Sequence, residues 1–170
     1  MPTNWWMFLL AGLIPMVVGF LWYGDMLFGK KWMKVNGFVK EDLEGANMGL
    51  IFGLSYLFSV MIAFFLSSVV LHQNGVVGLL GPGVFESGSA LQNEFNDIMS
   101  KHGGNFRTFA HGALHGGALA VFFVLPLIAI NALFERRGWA YIWIHFGYWF
   151  ICLLVMGGLL CQTLTYAPLT

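Results

Sequence analysis

Charge is what this sequence has least of. Only 9% of its 170 residues are Asp, Glu, Lys or Arg, against about 25% in soluble domains, while 58% are hydrophobic. A domain of about 150 residues still exposes close to a third of its chain surface, so water cannot accommodate this apolar excess. That excludes an ordinary soluble globule. Eight basic residues balance eight acidic ones, which removes the electrostatic footprint of a nucleic-acid binder. Cysteine is nearly missing as well. Cys152 and Cys161 lie nine residues apart on one predicted helix, on opposite faces and roughly 13 Å apart along its axis, too far for a disulfide. No Walker loop, Rossmann glycine fingerprint, GxSxG elbow or HExxH occurs, so the usual catalytic signatures are absent. The N-terminus lacks the basic n-region and small-residue cleavage site of a signal peptide and reads as a retained helix.

What is present is long apolar runs. Four of them, about 5–23, 48–71, 108–134 and 139–164, match the roughly 20 residues a helix needs to cross about 30 Å of hydrocarbon. None has the two-residue alternation of a membrane barrel. The expected fold is an all-α membrane protein, one domain over residues 1–170, built as a four-transmembrane-helix bundle with short amphipathic surface helices in its loops. Trp5-Trp6 and Trp22-Tyr23 bracket the first run as interface anchors, and Pro15 predicts a modest kink in it. No internal repeat relates the two helix pairs.

Orientation follows from the basic residues. Lys30, Lys31, Lys34, Lys40, Arg136 and Arg137 fall in the loops after the first and third runs, and only Lys101 and Arg107 on the other side. The positive-inside rule puts the first group in the cytoplasm, with both termini and the long 72–107 loop outside. In the first loop, GDMLFGKKWM is basic and amphipathic and is expected along the membrane surface, with the Phe28 and Trp32 rings in the interface. VKEDLEGAN after it predicts one or two helical turns. In the outer loop, Gly75–Gly88 reads as irregular or re-entrant. Residues 89–101 carry Leu91, Phe95, Ile98 and Met99 on one face, and Ser89 with Gln92 resembles a capping box, so a short amphipathic helix is expected there.

The residues that could carry chemistry are few. His111 and His115 are four apart and share a helix face. His72 closes the second helix on the same side, and His102 precedes the third run. Imidazole is a common zinc, copper and iron ligand, so His72, His102, His111 and His115 are candidate metal ligands, or axial ligands of a b-type haem. Helix-to-helix hydrogen bonding is the plainer role for the same histidines. His145 lies inside the fourth run, where a titratable side chain is a functional candidate by default. A proton relay, or packing against Asn131 or another polar group across the hairpin, would account for it. Gly45, Gly49 and Gly53, Gly112 and Gly116, and Gly157-Gly158 have the small-residue spacing that lets helices approach closely. Glu135, Arg136 and Arg137 read as a cytoplasmic turn and anchor. Asp25 reads as an exposed interface carboxylate near Lys30.

Two stretches, LWYGDMLFGKKWM and NALFERRGWAYIWIHFGYWFICLLVMGGLL, resemble a bacterial integral-membrane family, domain of unknown function 1761. The residues that carry the likeness are Trp22, Tyr23, Phe28, Gly29, Trp32, Asn131, Phe134, Glu135, Arg136, Tyr148 and Gly157. QNEFNDIMSKHGGNFRTFAHGALHG is similar to the version in Bacteroidetes-type bacteria, and Asp25 departs from the proline more usual there. The resemblance implies a four-helix protein of the bacterial inner membrane and no activity. The expectation is therefore a non-enzymatic protein that works by packing, as a homo-oligomer or an accessory subunit of a membrane complex. Its partners would be lipid and other membrane chains. A metal or haem redox protein and a small proton-coupled transporter or channel centred on His145 and Asn131 stand as alternatives.

Overall fold

The computed structural model describes residues 3–166, and among them it contains eight α-helices and no strand. They are α1 (Trp6–Trp22), α2 (Gly29–Asn36), α3 (Met48–Val70), α4 (Gln73–Leu80), α5 (Ala90–His102), α6 (Phe109–Leu119), α7 (Leu125–Phe134) and α8 (Trp139–Thr163). A π-helical turn, Ala120–Val124, joins α6 to α7 into one rod.

Three helices, rather than the expected four, are long and apolar enough to cross a membrane: Met48–Val70, Phe109–Phe134 and Trp139–Thr163. α1 has 17 residues, about 26 Å, which falls short of a hydrocarbon core of about 30 Å. Its ends are nevertheless tied to both ends of α8. Asn4 Nδ2 donates to Thr163 O (2.8 Å) at one end, and Trp22 Nε1 donates to Ile144 O (3.0 Å) at the other. Midway, Tyr148 Oη donates to Pro15 O (3.0 Å). α1 therefore runs antiparallel to α8 along most of its length.

α8 is the axis of the molecule. Ile142, Ile144, Cys152, Leu153, Met156, Leu160 and Cys161 are all buried on it, and α1, α3 and α6 pack around it. Away from this core the helices turn large rings outward. Phe20, Phe122 and Phe134 are 82%, 81% and 87% exposed, an apolar surface of the kind that marks a membrane or protein contact. The rod of α6 and α7 keeps every fourth residue toward α8. Gly112, Gly116, Ala120 and Ala132 are buried, with Val124 and Ile128 half-buried between them. In a regular α-helix that series would drift by about 40° per step, and the wide turn at Ala120–Val124 takes up the drift. Pro126 explains its location. Proline lacks the N–H that the ladder needs and crowds the carbonyl four residues back.

The loops depart from expectation in one place and follow it in others. Gly75–Gly88 is not irregular throughout, because Gln73–Leu80 is helical and Pro82–Phe85 forms a 3-10 turn. Two interior glycines cost about 1 kcal/mol each, and burial of Gln73 on the neighbouring loop holds the helix start in place. α5 begins as the Ser89 signal predicts, with Ser89 Oγ accepting from Gln92 N (3.0 Å). The return bond runs one residue earlier than in a capping box, Gly88 N donating to Gln92 Oε1 (2.8 Å). VKEDLEGAN contributes one 3-10 turn, Lys40–Leu43. In and just before α2 the aromatic rings pack on the end of α1, Phe28 against Trp22 (4.6 Å) and Trp32 against Tyr23 (5.5 Å).

Candidate metal centre

The site is assembled at one end of α3 and the start of α6. α3 stops at Val70, and the extended backbone of Leu71 carries His72 across toward α6. There Thr108 caps the helix, its Oγ1 accepting from His111 N (3.2 Å). Helical spacing sets His111 and His115 on one face. The glycines beside them bring that face against α8, since a Cβ at Gly116 or Gly112 would overlap the backbone of Leu153 or Gly157.

Two polar anchors then fix the loop before α6. The buried Gln73 donates from Nε2 to Gly103 O (2.9 Å) and Asn105 O (3.1 Å). Arg107 donates from Nε to Cys161 O (2.7 Å) and from Nη2 to Leu164 O, satisfying carbonyls at the end of α8. Between these anchors Phe106 is held at φ +61°, a left-handed backbone that a bulky residue rarely adopts. That geometry lays its ring against His111 (5.1 Å between centroids) and His72 (5.8 Å). Such strain persists only where the surroundings enforce it.

The three imidazoles meet tip to tip. Nε2 of His72 is 3.0 Å from Nε2 of His111 and 3.1 Å from that of His115, and the last pair is 3.1 Å apart. The ring centroids stand farther apart, at 4.9, 5.0 and 4.6 Å, so the nitrogens converge on one point. Hydrogen bonding alone cannot satisfy this triangle. Each Nε2 of a neutral imidazole is either a donor or an acceptor, and among three atoms at least two must be alike. One contact of the three then opposes two hydrogens or two lone pairs. A cation at the centre would instead meet three lone pairs. Tetrahedral zinc with Zn–N bonds of about 2.0–2.1 Å separates its nitrogens by about 3.3–3.4 Å, so a small opening of the triangle admits an ion. Among the described residues no carboxylate or thiol joins the group.

The other candidates lie elsewhere. His102, at the end of α5, is outside the triangle. Its Nδ1 is 3.3 Å from Asn105 Nδ2, and it lines a cavity of about 160 Å³ that His72 and Phe106 also border. His145 does not bond Asn131. Its Nδ1 meets the Tyr23 hydroxyl of the α1 end (3.1 Å), and its Nε2 is buried with no partner among the described residues. Asn131 shares with it a cavity of about 200 Å³. Gly45, Gly49 and Gly53 are exposed and pack against no other helix of the chain, because α3 meets its neighbours through Ser59, Ala63, Leu66 and Val70 instead. Gly157 and Gly158 both sit in close contacts, with Gly112 and the Phe109 ring respectively. Glu135 pairs with Arg137 (3.5 Å). Arg136 takes φ +56° and closes α7 as a Schellman turn, its N–H reaching Leu133 O and that of Arg137 reaching Ala132 O.

Phe106, Gln73, Arg107 and Tyr23 are the site residues that sequence reading passes over. Tyr23 looks like an interface anchor, and nothing local to Phe106 signals its backbone. Arg107 carried the one usable signal, a cation beside a spanning segment, where a partner among helix-end carbonyls is expected.

No curated protein and no solved structure matches the chain. Residues 6–161, nearly its whole length, match the family described as Protein of unknown function (DUF1761), and the chain belongs to that family.

Proposed function

We propose that this is a bacterial inner-membrane protein that captures one divalent transition-metal ion at its outer surface, through His72, His111 and His115. The observation that carries the reading is the triangle of Nε2 atoms at 3.0–3.1 Å, which hydrogen bonds cannot satisfy and a metal can. Three neutral imidazoles with a fourth position left to water suit zinc best, with copper and nickel as chemically close competitors. A haem is disfavoured, since its macrocycle must lie between two axial rings and these nitrogen tips leave no space for it. Asp97 is paired with Lys101 (2.6 Å), and among the described residues no carboxylate joins the three histidines to act as a general base. The reading therefore stops at capture rather than hydrolysis.

Orientation and span count belong to the same proposal. The antiparallel course of α1 along α8 supports a fourth, short crossing that a thinned bilayer or flanking aromatics would accommodate. Lysines and arginines on the Glu135 end support that end as cytoplasmic, with both termini and the histidines outside. Lipid covers the outward rings. A pure packing role, as homo-oligomer or accessory subunit, draws support only from the exposed Gly45, Gly49 and Gly53 stretch, and ranks second.

The test is elemental analysis of protein purified without chelator and reloaded with zinc. About one zinc per chain in the wild type, lost in His111→Ala and His115→Ala, is expected. Metal-free wild-type protein whose thermal stability ignores added zinc would overturn the reading.

A further inference from the structure

At the opposite end of the molecule, α7 and α8 line a half-open cavity of about 200 Å³ bordered by Ile128, Asn131, Glu135, Tyr141, His145 and Trp149. Its chemistry can be read wall by wall. The Tyr23 hydroxyl and His145 Nδ1 are 3.1 Å apart. A phenol is the better donor and an imidazole nitrogen the better acceptor, so this bond puts the proton of the neutral ring on Nε2. That Nε2 is closed to solvent and has no partner among the described residues, a hydrogen-bond donor without an acceptor that a guest reaches when the His145 ring turns toward the cavity it lines. Such a group is unfavourable until something accepts its hydrogen. Asn131 adds amide donors to the same cavity. Glu135 brings no net charge to its mouth, because Arg137 lies 3.5 Å away and also sits over the Tyr141 ring at 5.6 Å. The remaining walls, Ile128, Tyr141 and Trp149, are apolar or aromatic and belong to helices long enough to span a membrane.

A neutral, lipid-soluble guest with an accepting oxygen meets all of these conditions. A cation would find no uncompensated carboxylate, and an anion no free guanidinium. The geometry points to a binding site for a carbonyl-bearing membrane molecule, its oxygen on Asn131 and, with the His145 ring turned toward the cavity it lines, on His145 Nε2, and its body along Tyr141 and Trp149. A flat quinone-type ring fits the aromatic walls best, and a lipid ester offers the same carbonyl.

The experiment titrates purified full-length protein in detergent with a short-chain benzoquinone analogue, following tryptophan fluorescence. Wild type is expected to show saturable quenching, with most of the amplitude lost in Trp149→Phe and the affinity at least tenfold weaker in His145→Phe. His145→Gln keeps a donor of similar reach and should bind within about threefold of wild type, which separates loss of the donor from loss of the fold. Phospholipid analysis of the same samples distinguishes the source. No quinone response, with one tightly held phospholipid per chain that His145→Phe releases, upholds the carbonyl site and assigns it to a lipid ester. Equal quenching in wild type and His145→Phe, or no quinone response and no retained lipid, would overturn the inference.

Discussion

Gly112 of α6 and Gly157 of α8 meet backbone to backbone. A Cβ at Gly157 would come within 2.5 Å of Gly112 O, and one at Gly112 would overlap Gly157 in turn. The contact holds the helix that carries His111 and His115 hard against the central helix, so packing and site share one cause. Without a strong hydrophobic drive between helices in lipid, such close van der Waals contact is what binds them.

Gly112→Ala is therefore expected to cost about 2 kcal/mol, as forced overpacking does, read as a fall of about 4–8 °C in thermal unfolding in detergent. Gly53→Ala is the control. A Cβ there would meet nothing within 4 Å, and its unfolding temperature should not fall.

Metal affinity should separate His72, His102, His111 and His115. His72→Ala, His111→Ala and His115→Ala each remove one ligand and should weaken zinc binding by at least a hundredfold in competition with a chromogenic chelator. His102→Ala should stay within about threefold of wild type, because its ring lies outside the triangle. Imidazole binds metal only as the neutral base. Affinity should accordingly drop as the medium is acidified and the imidazoles take up protons.

Phe106 makes a kinetic prediction. Its ring rests on His72 and His111 and would shield a bound ion from exchange. Phe106→Gly relieves the left-handed backbone at φ +61° while removing that shield. Chelator-driven zinc release should speed up severalfold, with thermal stability held or raised. Slower or unchanged release would mean the ring has no shielding role.

Arg107 makes a coupling prediction. Removing its bonds to Cys161 O and Leu164 O frees the loop that carries Phe106 and leaves carbonyls at the end of α8 unmet. Arg107→Ala should cost about 1.5–3 kcal/mol of stability, the range for charge-assisted bonds, and weaken zinc binding although no ligand is touched. Calorimetry on apo and zinc-loaded protein reads both effects.

The sequence made local features legible and long-range ones hard to see. Ser89 announces α5 because a cap is a three-residue event, and His111 with His115 announces one ligand face because four residues make a helical turn. Three of the apolar runs stand as long helices for the same reason, while the first is shorter than its run. His72 joins the pair only through the docking of α3 beside α6, 39 residues away from His111, and no local pattern encodes that. His102 looked equivalent to the others and was separated by the turn at 103–108. The bond from His145 to Tyr23 spans 122 residues, which is why Asn131, nearer in sequence, seemed the better partner. The helical start of α4 was hidden because glycine composition points to loops, whereas the anchor that fixes it, Gln73, acts through tertiary bonds.

Zinc K-edge X-ray absorption on the loaded protein reads the first shell itself. Three imidazole nitrogens and one water oxygen at about 2.0–2.1 Å are expected, with one imidazole fewer in His115→Ala. A first shell containing sulfur, or an ion surrounded by water oxygens alone, would contradict it.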